Sequence, residues 1–445
     1  MKQNLQFNFE WLAAANAGDA SARAGLAALS ITINGRLATE LEDLLAKTVR
    51  TVARLSAYNL ALWLAANWWR LRWEPQRDTM HWKMAHQMGA VGGGYAWPDI
   101  SFASDGDAVL ISGRASPEKT VSLIRYLHAF DETISAAQFE QGIDQLVEAV
   151  LERLASFSGT NLVGIDGTLA ALWAEVCEER RTPETARWRK LEAQLGYDPG
   201  EAPTALIAAL HTKAVKLGQG AIEEMACASQ SRVIEDLATL QGGQSQAVPA
   251  TIANYDSLHQ QISQLDCFQL SWQRAEQAAA LVRTQWGVAA GQPLRNSDLC
   301  DLLSLQASAI SDTEGATPYP LAAGFRDETA HGSLKVLLTK RRATGRRFEL
   351  ARLVGDDLTN QPTEKLLPAT QAKTARQKFQ RAFAQELLCP FSELDKFFGS
   401  HFASHSTDDD AVEDAASHFQ VSPLLVKTTL VNRGRLSRSE MTPSS

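Results

Sequence analysis

Residues 334–356 run Leu334-Lys335-Val336-Leu337-Leu338, then a basic break at Lys340-Arg341-Arg342, then Gly345-Arg346-Arg347-Phe348-Glu349-Leu350-Ala351-Arg352-Leu353-Val354-Gly355-Asp356. The short apolar run is a strand candidate and the longer segment a helix. Arg352 and Asp356 stand one helical turn apart, a spacing that suits an i,i+4 ion pair. Downstream, Gln377–Pro390 (QKFQRAFAQELLCP) continues the helical pattern, and Val412–Leu436 (VEDAASHFQVSPLLVKTTLVNRGRL) reads as a closing helix pair. Upstream, Arg274–Leu305 reads as a helix ending before Gly287, a short loop and a second helix.

The order strand, helix, helix, helix pair over roughly residues 270–440 resembles an ImmA/IrrE-type zinc peptidase domain. In that family a strand leads into a helix of the form R-F-x-L-A-H-E-x-G-H. Its two histidines bind zinc and its glutamate activates water. Arg347, Phe348, Leu350, Ala351 and Gly355 match that pattern. The chemical positions do not: Arg352 and Asp356 replace the histidines and Leu353 replaces the glutamate. In the later segment Phe383, Ala384, Glu386, Leu387, Leu388 and Pro390 match, but Gln377 and Phe379 hold positions where the family has acids that supply the third ligand. Arginine stays protonated and is no zinc ligand. The resemblance therefore implies a degenerate, non-catalytic domain with no cofactor, in which Arg352 and Asp356 pair across the old site. It also implies a bacterial mobile-element, toxin–antitoxin or phage-defence setting, and a protein partner such as a helix-turn-helix regulator or another subunit of the module.

The 445-residue length suggests two or three domains. A net charge of -8 gives no bulk attraction to nucleic acid or an anionic membrane. The five cysteines are scattered without a CxxC pair, which fits reduced core thiols rather than disulfides. The N-terminal residues lack an apolar signal-peptide core. The most apolar stretch, 56–73, is broken by Asn59, Asn67, Arg70 and Arg72, so no membrane span is expected and the location reads as cytoplasmic.

The N-terminal region matches no family we can name. Ile31–Leu37 (ITINGRL) is a hairpin around Asn34-Gly35, and a second hairpin links Ile100–Phe102 to Val109–Ile111. Helix is expected from about Thr39 to Trp73, and again from Val121 to about Met225. Trp63, Trp68, Trp69, Trp73, Trp82 and Trp97 either offer a stacking platform or fill an aromatic core, and we take them as core. The polar stretch 241–249 reads as a linker. The fold expected is α+β and predominantly helical: a Trp-rich α/β domain over 1–120, a helical middle over 121–240, a degenerate zincin-like domain over 268–436, and a disordered tail at 437–445.

Two other readings compete. The C-terminal pair resembles a helix-turn-helix, so Lys427 and Arg433, with Arg346 and Arg347 of the basic cluster, are candidate DNA or partner contacts. A zinc peptidase with non-standard ligands would call on His401, His405 and His331.

Overall fold

The Asn34-Gly35 turn has the expected left-handed backbone. In the computed structural model, which describes residues 4–13, 19–119, 122–157, 167–266, 269–289, 291–327, 331–399 and 409–437, their φ angles are 52° and 82°. The chain folds as two compact units, Met1–Ile207 and Ala208–Ser445, each around its own hydrophobic core. It is α+β, and helix outweighs strand.

In the first unit β1 (Leu5–Trp11) and β2 (Leu26–Ile33) pair antiparallel, with α1 (Ala20–Ala24) between them in sequence and β3 (Arg36–Leu37) returning from the turn. Three strands follow: β4 (Leu41–Asp43), β5 (Thr48–Arg50) and β6 (Ala53–Ser56). Helix begins only at α2 (Ala57–Ala66), capped by the Ser56 hydroxyl, and continues in α3 (Trp68–Trp73) and α4 (Met80–His86). The helical expectation from Thr39 is thus corrected. β4 pairs with β5 and with the distant β9 (Ile124–Tyr126), and β6 pairs with β2. These partners are invisible to local periodicity.

The second hairpin is β7 (Asp99–Ser104) and β8 (Ala108–Arg114), as expected; β8 also pairs with β10 (Phe130–Ser135). β9 and β10 occupy ground expected to be helical. The helices start at α5 (Ala136–Ala155), where Ser135 and Gln138 form a capping box, then α6 (Thr168–Arg181) and α7 (Pro183–Leu195). Trp63, Trp68 and Trp69 are buried in this core, Trp73 and Trp97 pack against it, and Trp82 is buried with its ring stacked on His86.

The division between units falls within α8 (Thr204–Leu217). The second unit continues with α9 (Gln219–Ser229) and α10 (Val233–Gly243). The expected linker lies inside this unit, and its end is β11 (Val248–Thr251), an edge strand that tolerates Pro249. Next come α11 (Tyr255–Ser263), α12 (Ser271–Gln285) and α13 (Asn296–Leu302). A four-stranded antiparallel sheet, ordered β11-β13-β12-β14, is built from β11, β12 (Ala322–Arg326), β13 (Ser333–Leu337) and β14 (Leu366–Ala369). Between β13 and β14 runs α14 (Ala343–Thr359). The chain then forms α15 (Ala375–Leu388), α16 (Phe391–Phe398), α17 (Asp409–Phe419) and α18 (Pro423–Asn432). No helix among the described residues is long and apolar enough to cross a membrane. The expected tail lies, from residue 438 on, outside the described residues.

Candidate functional site: a wired charge cluster and the cleft beside it

Helix α14 is the central helix of its unit. From Arg346 to Leu358 every residue except Phe348 is buried. Such burial leaves no solvated face for its charges, so each needs a protein partner. Gly355 lets α15 close in, because a Cβ there would stand 2.5 Å from the Phe383 ring. The two helices therefore cross tightly at the positions where the motif departs from the family pattern.

Arg352 does not pair with Asp356. Its Nη2 donates to the Thr370 carbonyl at 2.6 Å and to Gln377 Oε1 at 2.5 Å. The Gln377 oxygen also accepts from Thr370 N, at 2.8 Å, and its amide nitrogen donates to the Pro368 carbonyl at 2.9 Å. Burial pulls the Arg352 guanidinium down to about 10, and so it remains charged at neutral pH. Asp356 instead accepts a two-pronged contact from Arg376 of α15, with Nε and Nη2 both at 2.8 Å, and a third bond from Asn360 Nδ2 at 2.8 Å. A bidentate guanidinium satisfies the buried carboxylate more fully than a single i,i+4 contact would, which is why the expected pair does not form.

The cluster extends beyond what the motif signalled. Arg376 Nη1 reaches Glu364 at 3.1 Å, and Glu364 accepts the Gly220 and Ala221 N–H groups at 2.9 and 2.7 Å. It thereby caps the first turn of α9, where negative charge is favoured. Glu224 of the same helix is buried and accepts the Thr374 hydroxyl at 2.9 Å; burial pushes it up to about 7. Sequence reading missed Glu224, Glu364 and Arg376. The signal available for Glu224 was a carboxylate on the buried stripe Ala221, Ile222, Met225 and Ala226.

These residues do not fit zinc. Of the three ligand positions only Asp356 carries a carboxylate side chain, and both its oxygens are engaged. Leu353 is in the core, and Phe379 stacks on Phe383 with ring centroids 6.1 Å apart. His331 is exposed, 3.7 Å from Asp256; His401 and His405 lie outside the described residues. Among the described residues no group of three or more His, Cys, Asp or Glu could hold a metal ion.

A cleft of about 670 Å³ lies between α12, α14, α15 and α18. Trp272, Phe348 and Leu425 form part of its apolar wall, and Lys340, Lys378 and Arg381 contribute positive charge. Trp272 and Leu424 are exposed large hydrophobics, at 41% and 64%. Arg381 also acts through space on Arg352, so cleft and cluster are electrostatically linked.

The basic candidates fare unevenly. Arg346 is buried and donates to the Ala309 and Lys340 carbonyls at 2.9 and 3.1 Å. Arg347 is buried and donates to Asn296 and Gln420 at 2.8 and 2.9 Å. Neither lies on an exposed basic face as a phosphate-backbone contact would. Arg433 pairs with Glu276 and sits over the Trp272 and Phe391 rings, while Lys427 pairs with Asp409 at 2.6 Å. No family model matches the chain, and neither a curated protein nor a solved structure matches it.

Proposed function

We propose that the chain is a binding protein, with a degenerate ImmA/IrrE-like domain over 268–436 whose cleft receives an acidic amphipathic segment of a protein partner. The observation that carries this reading is the Arg352–Gln377 bond. It joins the position of the resemblance's first histidine to its third-ligand region, so a guanidinium occupies the place a metal charge would take. The cleft supports the choice of occupant: aromatic and aliphatic walls suit an apolar helix face, and the basic side chains suit acids on its flanks. A module of the mobile-element, toxin–antitoxin or phage-defence kind, with a helix-turn-helix regulator or sister subunit as partner, is the setting that follows from the resemblance. DNA binding through α18 is the less supported reading, because Lys427 and Arg433 already have acidic partners.

The test is the metal content of protein purified from zinc-supplemented cells. Zinc well below one per chain is expected. About one zinc per chain, with proteolysis that requires it, would overturn the proposal.

A further inference from the structure

In the first unit β1 is an edge strand, and its free edge follows from its bonds to β2. At one end of the pair the Asn34 N–H donates to the Asn4 carbonyl, and at the other the Leu12 N–H donates to the Leu26 carbonyl, both at 3.0 Å. Bonded pairs recur at every second residue of an antiparallel ladder. The even-numbered residues of β1 are therefore spent on β2, and the odd-numbered ones turn their N–H and C=O groups away from it. The Leu5 carbonyl packs against α5, where a Cβ on Gly142 would stand 2.9 Å from it. The N–H and C=O groups of Phe7, Phe9 and Trp11 have no hydrogen-bond partner among the described residues.

Proteins guard such edges by brevity, proline, charge or cover. The other edge strands obey that rule. β3, β5, β6 and β9 have two to four residues, and β11 and β14 carry Pro249 and Pro368. Gln87 bridges to Ser101 of β7, and Asn34 Nδ2 donates to the Thr133 carbonyl of β10. Among these edges β1 is the longest, at seven residues, and it has no proline, lysine or arginine. Its core face is also half finished: Phe7, Phe9 and Trp11 are only partly buried, with the Phe9 and Trp11 rings 4.6 Å apart. α5 runs alongside, from Gly142 at Leu5 to Arg153 over the Trp11 ring at 5.3 Å. Ala149, on the same flank by helical spacing, is small.

We propose that the free edge of β1 takes an added strand from a partner protein: an extended segment with apolar residues at alternate positions and a lysine or arginine opposite Glu10. The main-chain groups of Phe7, Phe9 and Trp11 supply the bonds, and alternate side chains of the added strand extend the aromatic row beneath α5. Charge decides the occupant. Glu10 is exposed, is the only charge on β1, and makes no ion pair among the described residues. Opposite charges across a strand pair are stabilising. A second copy of β1 brings no cation to that carboxylate, whereas a basic segment does. This surface belongs to the first unit and does not depend on the cleft of the second.

The experiment titrates the full chain into a labelled peptide, Val-Thr-Val-Lys-Val-Thr-Val, and into its counterpart with glutamate in place of lysine, read by fluorescence anisotropy. Hydrogen exchange of the β1 segment is followed by mass spectrometry. The lysine peptide should bind about fivefold more tightly than the glutamate peptide and should slow exchange in β1. Glu10→Lys, an exposed substitution that leaves the fold intact, should reverse the preference. Phe9→Pro removes the central N–H of the free edge and should abolish binding; Glu10→Lys decides the matter if that protein fails to fold. No saturable binding, equal affinity for the two peptides, or a preference that Glu10→Lys leaves unreversed overturns the site. Exchange already slow at Phe7, Phe9 and Trp11 in the free chain, whatever its concentration, means that the chain covers its own edge. Exchange that slows only as the protein is concentrated identifies a second copy. Either result overturns the partner strand.

Discussion

Arg352 and Asp356, neighbours on one helix face, find partners on α15 and its approach rather than each other. Each is a buried charge held by a partner that cannot follow it into water, so removing one side strands the other. Asp356→Asn should lower the unfolding free energy of the second unit by about 3–5 kcal/mol, measured by urea titration. Arg352→Ala should cost about 1–3 kcal/mol, because its acceptors are neutral, and should leave any peptidase background unchanged. Glu224 titrates in the physiological range. Its folded value, about 7, lies above the ordinary 4.5, so the native state holds a proton that the unfolded state releases. The stability it contributes is complete below about pH 4.5 and lost as pH rises through 7. Glu224→Gln should flatten this part of the pH–stability curve, a difference on the order of 3 kcal/mol between pH 4 and 8. A variant with the wild-type slope would move the source elsewhere.

The α14–α15 crossing depends on a missing side chain. Gly355→Ala would drive a methyl group into the Phe383 ring, between two helices fixed by the Arg376–Asp356 contact. Overpacking of this kind should cost about 1–3 kcal/mol; a stabilised variant in denaturant titration would mean that α15 yields freely. At this scale the sequence was readable where an element's reason is local. The helices at 343–359, 375–388, 409–419 and 423–432 all follow from apolar spacing within their own residues. The Asn34-Gly35 hairpin follows from two residues. β9 escaped because its pairing with β4 joins residues 41–43 to 124–126, and the local β4–β5 hairpin escaped because the exposed Leu44 and Val49 imitate a helical stripe. The site divides in the same way. Arg352 and Asp356 were singled out from one motif and Gln377 from the next segment, whereas Glu224 meets Thr374 across 150 residues of sequence.

Two separate cores predict two unfolding events, which calorimetry should resolve. Their pH responses should oppose each other in part. His86, in the first core, is held down to about 3 by burial. A depressed base adds stability that is present above its ordinary 6.5 and lost as pH falls below it. His86→Phe should therefore reduce the acid sensitivity of the first unit, while Glu224→Gln acts on the alkaline side of the second. The cysteines supply a clock for telling the units apart. Cys227, Cys300 and Cys389 are buried in the second unit, and burial pushes the Cys389 thiol up to about 12. Thiolate is the reactive form, so Cys389 is shut to alkylating reagents until its surroundings open. The rate at which it becomes labelled, followed by mass spectrometry, is then a direct count of how often that half of the molecule breathes.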